Sequence, residues 1–209
     1  NSSINDTILV MPADTSLYFV TGTNVCGSSK SSVYVNVIPN PRIFNVQPSS
    51  RCGNGSLSLS VYVDLGTVRW FSALTEGSQL ATTTTFTTPN LSSTTTFYVE
   101  GIYNGCVSET RTPVTATINP IVPISTKSDG NVCGSGSVVI GATAPQGCTI
   151  SWYNEQTGGI SLGTGATFTT PILTSSTTFY CDATTTFGCI SSRTAVNATV
   201  SAIPQITSV

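Results

Sequence analysis

Two stretches of the chain decide the fold, because they repeat nearly the same phrase: TTFTTPNLSSTTTFYVEGIYNGC at residues 84–106 and ATFTTPILTSSTTFYCDATTTFGC at residues 166–189. Trp70 precedes the first copy of the phrase and Trp152 precedes the second. Self-similarity at a fixed period is the sequence signature of a tandem array. We therefore expect repeated structural units of about 80 residues each.

Within one repeat the sequence signals are those of β-structure. SLSLSVYV at residues 56–63 alternates apolar and polar side chains, as a strand with one buried face does. Seven strands are predicted in the first full repeat, near residues 42–47, 56–63, 67–72, 78–81, 84–88, 94–103 and 111–118. Short strands at this spacing, with one tryptophan early in each repeat, predict an all-β chain of tandem immunoglobulin-like β-sandwich repeats. Trp70 and Trp152 are the predicted core residues.

The repeats divide the chain into four predicted segments, because each repeat closes on an alternating strand followed by a proline. SLYFVTGTNVC, in the N-terminal segment, aligns with TTFYVEGIYNGC of the first full repeat, so the N-terminal segment fits only the second half of the template. The N-terminus lacks a signal peptide, so we expect a piece of a longer chain. The predicted segments are the C-terminal half of a repeat at 1–39, the first repeat at 40–120, the second repeat at 121–204, and the start of a further repeat at 205–209.

Composition argues against several function classes. Charged residues make up 8% of the chain, against about 25% in typical globular domains. The net charge is −2 and the seven basic residues are scattered, so no nucleic-acid partner is expected. Histidine is absent, and no pair of carboxylates suits acid–base chemistry. We therefore predict that the chain is not an enzyme and holds no cofactor and no metal.

The cysteines predict disulfides and an oxidising compartment. There are seven: Cys26, Cys52, Cys106, Cys133, Cys148, Cys181 and Cys189. Two of these positions recur once per repeat, which favours the intradomain bridges Cys52–Cys106 and Cys133–Cys189. The partner of Cys26 would then lie upstream of the chain.

Strand parity leaves the pairing open. The seven predicted strands place five strands between Cys52 and Cys106, and an odd number puts the two residues at opposite poles of the sandwich, too far apart for a bridge. One strand fewer would put the two residues at the same pole and allow the Cys52–Cys106 bridge. A Cys52–Cys189 bridge between neighbouring repeats is the alternative. Cys148 and Cys181 are predicted on the third and sixth strands of the second repeat, where we expect them to form a further bridge.

Charged pairs are predicted across the last hairpin of each repeat. Glu100 should face Arg111 in the first repeat, and Asp182 should face Arg193 in the second. Cross-strand ion pairs of this kind contribute some tenths of a kcal/mol, so they set strand register more than they add stability.

Aromatic pairs are predicted on the outward face of the same strands: Phe71 with Tyr98, and Tyr153 with Tyr180. These four residues are the possible glycan contacts, because aromatic platforms bind sugars. Recurrence in both repeats favours the simpler interpretation that the pairs stabilise the sheet.

The combined pattern resembles a known family. It consists of Cys-Gly-x-Gly, Trp followed by Phe or Tyr, TGG with LGTG, FTTP, TTTFYVE, GC and RT-x-V-x-AT. It is similar to the Ig-like repeats of giant Bacteroidota cell-surface proteins, a class that includes SprB-type gliding-motility adhesins. The resemblance covers essentially the whole chain and implies an Ig-like fold, export commonly by the type 9 system, and an extracellular place at the cell surface. The tripeptide DTI resembles the O-glycosylation sequence of Bacteroidota, which would place a glycan on Thr7.

These observations predict a structural stalk segment of an exported cell-surface adhesin or filament, with a possible part in gliding motility. Its partners would be the flanking repeats of the same long chain, with surface glycans or outer-membrane proteins as further possibilities. The alternative is that the repeats themselves bind glycans or neighbouring filaments.

Overall fold

The computed structural model describes residues 7–205, and this part of the chain contains nineteen β-strands and no helix. None of its elements is a helix long and apolar enough to cross a membrane. In chain order the strands are β1 (Ser16–Asn24), β2 (Gly27–Val35), β3 (Ile43–Gln47), β4 (Ser49–Cys52), β5 (Ser58–Val63), β6 (Thr67–Phe71), β7 (Gln79–Ala81), β8 (Thr85–Thr87), β9 (Thr95–Tyr103), β10 (Cys106–Val107), β11 (Thr112–Asn119), β12 (Thr126–Ser128), β13 (Gly130–Cys133), β14 (Val139–Thr143), β15 (Thr149–Tyr153), β16 (Gly163–Thr164), β17 (Thr167–Thr169), β18 (Thr177–Thr184) and β19 (Thr194–Ser201).

The described chain forms two compact units. The first unit comprises the residues up to Pro48 together with Ser58–Thr87 and Thr96–Thr115. The second unit comprises Ser49–Leu57, Thr88–Thr95 and the residues from Ala116 onwards. One end of the first repeat therefore belongs to the same compact unit as the second repeat.

The all-β prediction is confirmed, and the two full repeats have the same sheet topology. In the first repeat β3, β5 and β8 form one sheet, while β4, β11, β9, β6 and β7 form another in that order. In the second repeat the matching sheets are β12, β14 and β17, and β13, β19, β18, β15 and β16. All seven strands predicted for the first repeat are present within two residues of their predicted bounds.

The core of the first repeat is built around Trp70, whose side chain is fully buried. Its indole N–H donates to the carbonyl oxygen of Thr83 at 2.8 Å, so the buried polar atom is satisfied. Its ring stacks on Phe86 with ring centroids 5.3 Å apart, and Phe86 meets the ring of Phe97 edge-on at 5.0 Å. These contacts join the two sheets of the sandwich.

The second repeat has the same core. Trp152 is fully buried, and its indole N–H donates to the carbonyl oxygen of Gly165 at 2.9 Å. Its ring stacks on Phe168 with centroids 5.8 Å apart, and Phe168 packs against Phe179 at 5.5 Å. The phenylalanine of each FTTP motif therefore joins the tryptophan to the next strand of the core.

The second threonine of each FTTP motif explains why the motif recurs. The hydroxyl of Thr88 accepts a hydrogen bond from the amide of Leu57 at 3.0 Å and donates to the carbonyl oxygen of Pro89 at 2.9 Å. Thr170 makes both bonds at the same distances in the second repeat. Both threonines are buried, so each satisfies a backbone N–H that would otherwise lack a partner.

The first strand of each repeat passes from one sheet to the other, which the sequence did not predict. After β3 pairs with β5, the chain continues into β4, which runs parallel to β11. In the second repeat β13 runs parallel to β19 after β12 has paired with β14. The carboxylate of Asp129, between β12 and β13, accepts a hydrogen bond from the amide of Asn197 at 2.8 Å, and this bond lowers the pKa of Asp129.

Residues 16–35 form an antiparallel hairpin of β1 and β2. The hairpin corresponds to the β9–β11 hairpin of the first repeat, as the alignment of SLYFVTGTNVC predicts. Val20 and Val33 are 58% and 54% exposed, whereas the matching Val99 and Val114 are buried in the core. The hairpin thus carries core-type side chains on its surface.

Candidate functional site

One disulfide, Cys52–Cys189, is formed in the part of the chain that the structure describes. The two Cα atoms lie 5.4 Å apart, and the bond closes a sequence separation of 137 residues. Cys52 ends β4 and Cys189 lies in the connection between β18 and β19, and both belong to the second compact unit. Cys189 is fully buried, so the bond is shielded on that side.

The end of the first repeat supports Cys52. Cys52 lies beside Asn119 in the parallel ladder of β4 and β11, and the next residue, Gly53, donates its amide to the carbonyl oxygen of Asn119 at 2.9 Å. Gly53 has a φ of 68°, and a Cβ there would lie 3.0 Å from Cδ1 of Ile121. A glycine is required at this turn because other residues rarely adopt this φ.

A tight loop supports Cys189. The amide of Cys189 donates to the hydroxyl oxygen of Thr185 at 3.2 Å. The amide of Thr185 donates to the carbonyl oxygen of Cys189 at 2.9 Å, and Gly188 donates to the carbonyl oxygen of Thr185 at the same distance. The sulfur of Cys189 then lies 4.0 Å from the carbonyl oxygen of Asn119, beside β4.

The favoured intradomain bridges, Cys52–Cys106 and Cys133–Cys189, are wrong, since Cys52 and Cys189 are bonded to each other and Cys106 and Cys133 are free thiols. The physical reason is strand parity. Cys52 ends β4 and Cys106 begins β10, with the five strands β5 to β9 between them. The two residues therefore lie at opposite ends of one sandwich, as the alternative pairing requires.

The predicted Cys148–Cys181 bridge is also wrong, because both residues are free thiols. β15 and β18 are neighbouring strands, as expected, but their register places Cys181 opposite Trp152. Cys148 is four residues from Trp152, about 13 Å along the strand. A disulfide requires Cα atoms within about 7 Å.

Cys181 is a core residue. It is fully buried, and burial together with the nearby charge of Asp182 raises the pKa of its thiol to about 11. A buried thiol that stays protonated behaves as a small apolar side chain and is inert.

Arg111 joins the last strand of the first repeat to a loop after β6. Its Nε donates to Glu100 at 3.0 Å, which confirms the predicted pair. Its Nη1 donates to the carbonyl oxygens of Ala73 at 2.8 Å and Glu76 at 2.5 Å. Its guanidinium also lies 3.3 Å above the ring centroid of Phe71. A planar guanidinium can make all these contacts at once, whereas a lysine cannot.

Arg193 makes the same contacts in the second repeat. Its Nη1 donates to the carbonyl oxygens of Glu155 at 2.7 Å and Gly158 at 2.6 Å, and its guanidinium lies 3.3 Å above the ring centroid of Tyr153. Its Nε lies 3.5 Å from Asp182, which confirms the second predicted pair. Thus both repeats fasten the loop after their tryptophan strand with one arginine.

The aromatic pairs lie next to each other, as their register shows: Phe71 opposite Tyr98, and Tyr153 opposite Tyr180. Phe71 is only 8% exposed, because the guanidinium of Arg111 covers its ring. A sugar stacking on Phe71 would have to displace this arginine from two backbone carbonyls and a carboxylate.

Other candidate chemistry is sparse in the described residues. Within residues 7–205 no group of three His, Cys, Asp or Glu side chains is arranged to hold a metal ion. Thr7 is exposed, and Asp6 of the DTI tripeptide lies outside the described residues.

Comparison with protein families identifies the two full repeats. The family model of the Ig-like domain described as CHU_C associated matches residues 39–120 and again residues 121–201. The chain belongs to this family. Cys52 lies in the first matched Ig-like domain and Cys189 in the second, so the disulfide joins two consecutive domains of the family.

Solved structures similar to these CHU_C-associated Ig-like domains include other multidomain chains. The fibronectin(III)-like modules of Clostridium thermocellum CbhA are 12% identical, with 78% of this chain and 94% of that chain covered and a TM-score of 0.42. The I-band fragment I67–I69 of titin is 12% identical, with 93% and 77% covered and a TM-score of 0.41. The N-terminal eight Ig domains of Down Syndrome Cell Adhesion Molecule are 16% identical, with 91% and 28% covered and a TM-score of 0.48. A search of curated proteins found no significant match.

Proposed function

We propose that the chain is a structural stalk segment of an exported bacterial cell-surface adhesin or filament. The repeats would hold a distal binding region away from the cell and transmit force to it. Its immediate partners would be the flanking repeats of the same long chain. Export by the type 9 system and a role in gliding motility are the finer parts of the proposal, and they rest on the resemblance described above.

The observation that carries the proposal is the Cys52–Cys189 bond between consecutive Ig-like domains. A bond between domains limits how far they can separate, which serves a chain under tension. It has no evident use in a domain that acts alone. A disulfide also persists only in an oxidising environment, which supports an extracellular location.

The internal construction of each repeat supports the same function. Arg111 and Arg193 each fasten a loop to the last strand of their repeat through two backbone carbonyls. Charged residues are few, so the chain offers few sites to proteases that cleave after lysine or arginine. Threonines are many, and their β-branched side chains favour extended strands.

Surface labelling of intact cells tests the location. Antibodies raised against the purified chain should label cells that express the parent protein, without permeabilisation. Labelling that appears only after the cells are permeabilised would contradict the proposal.

A glycan array with the purified chain separates a stalk from a binding module. A stalk should show no saturable binding. Saturable binding that is lost in Tyr98→Ala and Tyr180→Ala variants, and kept in a Tyr62→Ala variant, would show that the repeats bind glycans themselves. Tyr62 is a matched control because it is 58% exposed and lies on the opposite sheet from Tyr98.

A further inference from the structure

We propose that Cys133 is the attachment point for the next repeat. It would form a disulfide with the cysteine at the Cys189 position of an Ig-like repeat of the same family joined after the second repeat. The inference rests on the proposed stalk function for its partner, a flanking repeat. It adds that every junction of such an array is bonded in the same way as the one seen here.

The surroundings of Cys133 reproduce those of Cys52. Cys133 ends β13 and lies beside Ser201 in a parallel ladder, as Cys52 lies beside Asn119. The following residue, Gly134, donates its amide to the carbonyl oxygen of Ser201 at 2.8 Å. The thiol of Cys133 is exposed, so a partner can reach it.

The turn after Cys133 is built in the same way as well. Gly134 has a φ of 81°, and a Cβ there would lie 2.9 Å from Cδ1 of Ile203. Gly53 makes the same approach to Ile121, the residue with which the second repeat begins. Ile203 therefore lies where a following repeat would start. The ladder and glycine turn that surround Cys52 are already formed around Cys133.

The free thiols elsewhere fit the same pattern. Cys106 lies in the last hairpin of the first repeat, at the position that Cys189 occupies in the second. Cys26 lies in the β1–β2 hairpin at the matching position. Under the proposal, Cys106 and Cys26 each form a disulfide with a cysteine at the Cys52 position of a preceding repeat. Three of the five free thiols thus have an assigned partner type, while Cys148 and Cys181 have no counterpart in the first repeat.

The bond forms by oxidation of two thiols. Cys133 and the partner cysteine each lose a proton and an electron as the S–S bond forms. A thiol–disulfide oxidoreductase in its disulfide form takes up the two electrons and two protons and becomes a dithiol. In vitro, oxidised glutathione takes them up and becomes two molecules of reduced glutathione. Because the two repeats are consecutive in one chain, the second thiol is present at a high effective concentration.

An extended chain tests the proposal. Residues 1–202 are followed directly by a second copy of residues 121–209, so that Ile121 of the added copy takes the place of Ile203. The added copy carries Cys133→Ser, which leaves a single Cys133 in the chain, and Ile190→Val at an exposed position, which distinguishes the added Cys189 from the original by mass. The chain is folded in a glutathione redox buffer, its free thiols are alkylated, and its disulfides are mapped by mass spectrometry without reduction. We expect Cys133 linked to Cys189 of the added copy, and Cys52 still linked to the original Cys189.

Two controls show whether loss of alkylation at Cys133 is due to the predicted bond. In the unextended chain Cys133 should be fully alkylated, and in the extended chain its labelling should be lost. The variant Cys133→Ser in the extended chain should leave Cys189 of the added copy free to be alkylated. Protection of the Trp152 strands of both copies from amide hydrogen exchange, with no fast-exchanging half of the signal, shows that the added repeat has folded whether or not the bond forms.

The outcomes separate this inference from the proposed function. Alkylated Cys133 beside a folded added repeat would overturn the inference and leave the stalk proposal intact, since that proposal rests on Cys52–Cys189. A link from the added Cys189 to a cysteine other than Cys133 would overturn it too. Absence of the Cys52–Cys189 link from the unextended chain would instead remove the observation behind the stalk proposal.

Discussion

Reduction of the Cys52–Cys189 bond should lengthen the chain that can be drawn out under force. When the chain is pulled from its two ends, an intact bond carries the load directly from Cys52 to Cys189. Unfolding of the residues between the two cysteines then adds no length between the handles. After reduction the same residues become part of the load-bearing chain.

The magnitude follows from the sequence separation of the two cysteines. A fully extended chain spans about 3.3–3.6 Å per residue, so a separation of 137 residues corresponds to about 450–490 Å. In the bonded state the same two Cα atoms are 5.4 Å apart. Reduction should therefore add about 450–490 Å to the total contour length.

Single-molecule pulling with handles at the two termini measures this difference. The summed contour length is compared in oxidising buffer and in dithiothreitol. The double variant Cys106→Ser, Cys133→Ser is the matched control, and it should behave as the parent chain in both buffers because neither residue is in the bond.

Two results would contradict the reasoning. Equal total lengths in the two buffers would mean that the bond does not carry the load. Two separate increments of about 180–200 Å each, instead of one large increment, would indicate the intradomain pairs Cys52–Cys106 and Cys133–Cys189.

Three further predictions concern single side chains. Arg111→Met should lower the free energy of unfolding by about 2–4 kcal/mol, because it removes charge-assisted hydrogen bonds to two carbonyls and Glu100. Urea unfolding measures this loss. The control Arg42→Met, at an exposed position, should change the free energy of unfolding by less than about 0.5 kcal/mol. Trp152→Ala should cost about 3–5 kcal/mol by thermal unfolding, because it leaves a cavity in a closed core. Alkylation of Cys181 at pH 8 should be at least about 100-fold slower in the folded chain than in urea, because its pKa is raised from 9.0 to about 11. The stability that this neutral thiol confers should be complete below pH 9 and should fall as the pH rises towards 11; equal alkylation rates would contradict the burial of Cys181.

Most of the fold could be predicted because local patterns and the core agree. The alternation of residues 56–63 marks a strand, and Leu59 and Val61 are indeed buried. The repeated FTTP motif places an aromatic ring against Trp70 and Trp152 in turn. Here the residues whose alternation marks a strand are also the residues that pack in the core, so both features could be predicted from the same pattern.

The short strand β4 could not be predicted from local pattern. It contains only Ser49, Ser50, Arg51 and Cys52, which show no alternation of apolar and polar side chains. Its place is set by a parallel ladder with β11, whose paired residues lie 67 positions later in sequence, and such pairing leaves no local signal.

The prediction of the cysteine pairs was wrong for two different reasons. Recurrence once per repeat is compatible with a bond inside a repeat and with a bond between repeats, so it could not decide the partner of Cys52. Strand parity spoke against Cys106 but left two solutions, one strand fewer or a bond to Cys189. For Cys148 and Cys181 the neighbouring strands were predicted correctly. Their register, which separates the two residues by four positions, is fixed only by tertiary packing.

The arginine contacts were predicted in part. The spacing from Glu100 to Arg111 across a hairpin indicated the ion pair. It did not indicate that the same guanidinium would reach Ala73 and Glu76, 38 and 35 residues earlier in the chain, or that it would cover Phe71.

The parallel pairing of β4 with β11 has a mechanical consequence. β4 is near the start of the first repeat and β11 ends it, so once the Cys52–Cys189 bond is reduced, tension on the two ends of the repeat draws these neighbouring strands in opposite directions along their own axes. Their backbone hydrogen bonds, which span four aligned residue pairs, then resist in shear and must break together. An antiparallel pair pulled from its open end would instead lose its bonds one at a time. β13 and β19 have the same geometry, so in the reduced chain both repeats resist a rising load in shear, the direction in which these hydrogen bonds are strongest.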